Sequence, residues 1–246
     1  AVELPAQGGF LVYDVADNSP AARVGIRGAR RFVVVGNVER AAVESFVAAA
    51  FEGWRRAPAE AVVVPPLTYD STSVRMEVRE GLPTNYVVGY FAAPPVQHAD
   101  YPALQVAVSV LNDRLFEEVR TKRNLTYAVA AGLTNRRAPT GYLYVTATDP
   151  NTTIDVMLDT VASLESPRVT EQDLHDQIEG YLTQWYKSLE TNSAQAQLLG
   201  DWAVVGGGHA LADQYAERLV EVTPEDVARV VDTYLRDLRY VEVGDP

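Results

Sequence analysis

From Arg31 to Asp245 the hydrophobic residues change period in a fixed order, and that order most limits what the chain can fold into. "RRFVVVG", from Arg31, is a short apolar run of strand type; Asn37 then stands where a cap would open a helix through "ERAAVESFVAAAFEGW". Ala42, Val43, Phe46, Val47 and Phe51 share one stripe of that helix. A Pro- and Ala-rich link leads to alternating strands at 73–79 and 85–91. A helix over 100–120 turns Leu104, Val108, Leu111 and Leu115 inward, and strands follow at 125–134 and 140–148. The remainder reads as helices at 152–165, 170–189 and 192–205, one after Gly206-Gly207-Gly208, and a last one from Thr223 before the strand "LRYVEVGD". Thr170 with Asp173 is a capping signature, and Pro224 suits a first helical turn. Strands and helices alternate in a mixed order rather than as parallel crossover units, so the expected class is α+β, a mixed sheet with packed helices. Two related lobes, about 31–137 and 138–246, are expected to meet near 137–140.

Composition narrows the function classes. With 33 acidic against 21 basic side chains the formal charge is −12, which repels a phosphate backbone, so no nucleic-acid partner is expected. No apolar run reaches the roughly 18 residues that a transmembrane helix needs. There is no cysteine, which removes disulfides, thiolate metal sites and cysteine nucleophiles. The 47% hydrophobic content is enough for a sizeable core.

Residues 8–28, "GGFLVYDVADNSPAARVGIRG", resemble the first half of a PDZ domain. In that family a Gly-rich loop and strand, here Gly8, Gly9, Phe10 and Leu11, take a peptide's C-terminal carboxylate on backbone N–H groups. The strands and helix that complete such a groove do not follow, because Arg31 opens a different pattern. Residues 1–30 are therefore read as a partial PDZ-like segment or remnant, or as the end of a segment lost between about 28 and 31, with a hairpin on the main domain as the alternative.

A hydrolytic zinc site needs imidazoles and a carboxylate at helical spacing. The three histidines, His98, His175 and His209, form neither His-x-x-Glu-His nor His-Glu-x-x-His. His175 and Glu179 are four apart on an otherwise solvated helical face. Gly206-Gly207-Gly208 lacks the Lys-Ser/Thr of a phosphate loop, and Ser109, Ser188 and Ser193 lie outside any nucleophile elbow. Glu117 and Glu118 read as helix surface. No catalytic residue, metal ligand or cofactor is assigned to this chain.

Three stretches carry a wider likeness: "VVVGNVERAAVESFVAAAFEGW", "YVVGYFAAPPVQHADYPALQVAVSVLNDRLFEEVRTKRNLTYAVAAG", and the helical tail with "LTQWYKSLETNSAQAQLLGDWAVVG" and "VTPEDVARVVDTYLR". Their order and spacing resemble the C-terminal, non-catalytic half of the pitrilysin/insulinase/processing-peptidase family of zinc metallopeptidases. The resemblance implies half of a clamshell, whose other half holds zinc on His-x-x-Glu-His, in the same longer chain or in a separate subunit. It also implies that Arg120 and Tyr127, an Arg and a Tyr seven apart, reach across the chamber toward a peptide substrate. The chemistry is coherent, since a guanidinium holds a carbonyl or carboxylate and a phenol donates to a developing oxyanion. Asn124 stands where the family has Gly, and Asn tolerates the left-handed conformation best among the alternatives. Lys122 and Arg123 are expected to be solvated. An exposed sheet edge, at 85–91 or 125–134, would pair with an extended peptide.

The reading is of a chamber-closing half, inactive alone. The alternatives are a non-enzymatic assembly or core subunit of a complex, or an envelope peptide-binding protein built around the PDZ-like start. A bacterial periplasmic or envelope location is the expectation that the PDZ-like segment and the family analogy favour.

Overall fold

The computed structural model describes residues 2–3, 9–11, 34–50, 52, 74–134, 136, 138–165, 169–205, 209–236 and 238–245. Among them are eight strands: β1 (Val2–Glu3), β2 (Gly9–Leu11), β3 (Val34–Gly36), β4 (Val74–Val78), β5 (Asn85–Ala92), β6 (Val129–Leu133), β7 (Thr140–Ala147) and β8 (Arg239–Gly244). The helices are α1 (Arg40–Ala50), α2 (Tyr101–Leu115), α3 (Pro150–Ala162), α4 (Glu171–Ser188), α5 (Asn192–Val205), α6 (His209–Val220) and α7 (Pro224–Tyr234), and a π-helical turn, Phe116–Thr121, continues α2. The fold is α+β as expected.

Five strands form one mixed sheet in the order β4-β8-β5-β7-β6, with β4 parallel to β8 and the other pairs antiparallel. Period-two patterning shows directly in β5 and β7: Val87 and Phe91 lie beside Leu143 and Val145 on the buried face. A Cβ on Gly141 would overlap the Phe91 ring, so glycine is what lets β7 pass that close. Against the buried face lies α2, whose Leu104, Leu111 and Leu115 are fully buried, followed by Val119 in the π turn. The helix is apolar almost all round because α3, α4, α6 and α7 contact it as well. The boundary expected near 137–140 falls in the hairpin between β6 and β7, whose strands pair from Val129↔Val145 to Leu133↔Gly141.

The caps anticipated for α4 and α7 are present as full capping boxes, Thr170 with Asp173 and Thr223 with Asp226. Asn37 does not cap α1. Val38 N–H bonds the Gly36 carbonyl at 3.0 Å, and the first helical donors, of Ala42 and Val43, both reach the Glu39 carbonyl, so the helix opens three residues past Asn37.

Asp100 ties the start of α2 to α7. Its carboxylate accepts from Arg229 Nη1 at 2.6 Å and from the Tyr234 hydroxyl at 2.9 Å. Burial pushes this carboxyl up, but the bonds from Arg229 and Tyr234 outweigh it and hold it below the usual carboxylate range.

Among residues 1–33 the structure describes only β1 and β2. Gly9, Phe10 and Leu11 form β2, which has β1 on one side and β3 on the other. Gly8 and the rest of the PDZ-like stretch lie outside the described residues.

Candidate functional site

Arg120 and Tyr127 come together where α2 ends. The α-helix widens into a π turn after Leu115: Lys122 N–H bonds the Glu117 carbonyl at 2.8 Å, and the Thr121 hydroxyl donates to the Phe116 carbonyl at 3.3 Å. Asn124 stops the helix in the left-handed region, φ 52°, and its N–H closes on the Arg120 carbonyl at 3.0 Å. This is the left-handed turn expected at Asn124.

The next three residues aim Tyr127 outward. Thr126 is buried; its hydroxyl accepts from Ala128 N–H at 3.0 Å and donates to the Thr146 carbonyl, locking a tight turn against β7. With Thr126 pinned inside, the intervening Tyr127 is thrown out, 82% exposed. Its ring meets Arg120: the guanidinium carbon lies 4.7 Å from the Tyr127 ring centroid and 4.7 Å from that of Phe116.

The local charges sort themselves around this group. Lys122 Nζ lies 3.0 Å from Glu117 and 2.7 Å from Glu118, and Arg123 reaches the Glu118 carboxylate and, at 2.9 Å, its carbonyl. The hydrogen bonds from Lys122 and then Arg123 hold the Glu118 carboxyl below the usual range, and Glu118, with Glu117, raises Lys122. Lys122 and Arg123 are thus exposed but paired. Among the described residues the Arg120 guanidinium makes no hydrogen bond or ion pair, only the two aromatic contacts, so its donors are free for a ligand. A cleft of about 410 Å³ lies beside the π turn, lined by Arg114, Glu117, Arg123, Val156 and Asp159 among others, but neither Arg120 nor Tyr127 borders it.

The edge expectation needs correction. Residues 85–92 are the central strand, flanked by β8 and β7, and offer no edge. β6 is an edge strand, but the Ala131 N–H, which points away from β7, is already bonded to Asn112 Oδ1 of α2 at 3.0 Å. A helix side chain therefore caps the middle of that edge, as proteins guard edges against added strands. Period-two patterning reveals which face a residue occupies, not which strands are its neighbours, so the sequence could not show either point.

The histidines stand apart. His98 Nδ1 accepts from the Asp100 N–H at 3.1 Å, and its carbonyl takes Arg218 at 2.8 Å. His175 and Glu179 form an exposed pair at 3.1 Å on α4. The side chain of His209 lies outside the described residues. Among the described residues no group of three or more His, Asp or Glu fits a metal, and no described helix is long and apolar enough to cross a membrane.

The family model for the peptidase M16 inactive domain matches residues 31–188. The chain belongs to that family. Solved structures agree on the fold at low identity. A peptidase M16 inactive domain from Pseudomonas fluorescens is 19% identical with a TM-score of 0.77, covering 87% of this chain and 53% of that one. A protease from Helicobacter pylori is 17% identical, TM-score 0.76, with 87% and 54% covered. The periplasmic protease PqqL of Escherichia coli is 16% identical, TM-score 0.68, with 87% and 25% covered. The chain thus spans about half the length of the first two and a quarter of the third. No curated protein matches it.

Beside Arg120 and Tyr127 of this M16 inactive domain stands a third side chain, Phe116. Phe116 stands four before Arg120, a spacing that brings an aromatic ring onto a cation on one helix face, and that signal was present in the sequence.

Proposed function

We propose that this inactive domain closes the substrate chamber of a zinc metallopeptidase whose metal sits on a separate catalytic half, and that Arg120 and Tyr127 contact the peptide. The observation that carries the reading is the uncommitted guanidinium of Arg120 beside an outward-facing phenol, both donors, at the end of the central helix. Arg120 would hold a peptide carbonyl or carboxylate, and the Tyr127 hydroxyl would donate to the oxygen that gains charge during hydrolysis. The capped edge of β6 argues that the substrate meets this domain through these side chains and not as a strand added along the whole of β6.

A partner half is further supported by the sheet face opposite the helices, where Tyr86, Tyr90 and Val241 stand exposed on neighbouring strands. Among the described residues no group of His, Asp or Glu fits zinc. The likeness to a periplasmic protease favours an envelope location.

The test places a photo-crosslinking benzoylphenylalanine at position 127 of the complete protein, with the catalytic half inactivated, and irradiates it with a bound peptide. The peptide should become joined to this domain. Free peptide, with crosslinks only to the surrounding chain, would remove Tyr127 from the substrate surface.

A further inference from the structure

We propose that Phe116 is a positioning residue for Arg120, an inference that rests on Arg120 contacting the peptide. Together with Tyr127 it holds the guanidinium against two aromatic rings and leaves the N–H donors pointing free toward an oxygen pair of the substrate.

Phe116 is 45% exposed and lies outside the hydrophobic core, whereas Leu115 before it and Val119 after it are fully buried. Its ring carries the Arg120 guanidinium, whose carbon lies 4.7 Å from the ring centroid. The π turn sets Phe116 and Arg120 side by side, and the reversal at Asn124 returns Tyr127 to the same guanidinium. An arginine fixed before the ligand arrives loses less rotamer freedom on binding, which is the gain of preorganisation.

The charge pattern completes the device. Glu117 and Glu118 are the carboxylates nearest to Arg120 in sequence, and Lys122 and Arg123 occupy both. Two of the three cations in this acidic chain's basic cluster therefore keep local carboxylates off the third. The aromatic rings supply orientation without neutralising the charge, which an acidic neighbour would do.

The experiment compares Phe116→Leu with Phe116→Trp by two readouts. In the isotope-labelled chain, the Arg120 δ-methylene protons should sit upfield under the two rings; the Leu variant should lose a large part of that displacement and the Trp variant should keep it. In the complete protein, Phe116→Leu should raise KM about threefold to fivefold, the worth of one exposed cation–aromatic contact, with little change in kcat. A purely structural role would instead lower the active fraction and leave KM alone. Unmoved Arg120 resonances in the Leu variant overturn the aromatic clamp whatever the kinetics. Displaced resonances with unchanged KM overturn instead the substrate role of Arg120 on which the inference rests.

Discussion

If Tyr127 contacts the peptide as proposed, replacing it by Phe should lower kcat for peptide hydrolysis by the complete protein about a hundredfold, while KM should move by no more than about twofold. The substitution removes one hydroxyl and keeps the ring that lies on Arg120, so the cation–aromatic contact survives. Because Tyr127 is exposed and outside the core, folding is not affected, and a surface change of this kind moves stability by less than about 0.5 kcal/mol. A donor aimed at charge that develops only in the transition state acts on kcat; a contact made equally to the ground state acts on KM. Steady-state kinetics at several peptide concentrations separate the two. Unchanged turnover would mean that the phenol donates to nothing in the reaction.

The largest effect on stability is expected at Leu111. It is fully buried on α2, the helix that meets the sheet on one side and four helices on the others. Truncation to Ala removes the transfer energy of the lost methyl groups and leaves a space that such surroundings can only partly close, a cost of about 3 kcal/mol. For a domain of this size each kcal/mol corresponds to about 2–4 °C in Tm, so the melting point should fall by roughly 6–12 °C. Leu158, exposed on α3, is the control, and Leu158→Ala should shift stability by less than about 0.5 kcal/mol. Urea unfolding of the three proteins checks both values.

The elements were legible because each carries its own period and its own stop signals. Thr170 with Asp173 marks the start of α4, and Asn124 is of the non-glycine type that best tolerates the left-handed turn it adopts. What escaped were facts set by distant residues. Strand order depends on pairings such as Val87↔Glu242, between positions far apart in the chain, so the central place of β5 could not be read from its alternation. The capping of Ala131 by Asn112 is equally non-local. The cap of α1 failed for a local reason: the turn at Gly36 and Val38 delays the helix, and Glu39 supplies the first carbonyl.

At the site, family likeness points to Arg120 and Tyr127 through their spacing, and the structure shows why they meet. A tight turn pinned by Thr126 projects the Tyr, and a π turn presents the Arg. Glu117 and Glu118, read from sequence as plain helix surface, turn out to occupy Lys122 and Arg123.

The central proposition is that this domain contributes donors to a hydrolytic chamber whose metal lies elsewhere. Its most direct test measures zinc content and peptide hydrolysis for the purified chain, for a separately produced catalytic half, and for the two mixed. The prediction is no bound zinc and no hydrolysis in this chain, zinc in the other half, and hydrolysis restored on mixing. Stoichiometric zinc in this chain, or cleavage by it unaided, would contradict the account.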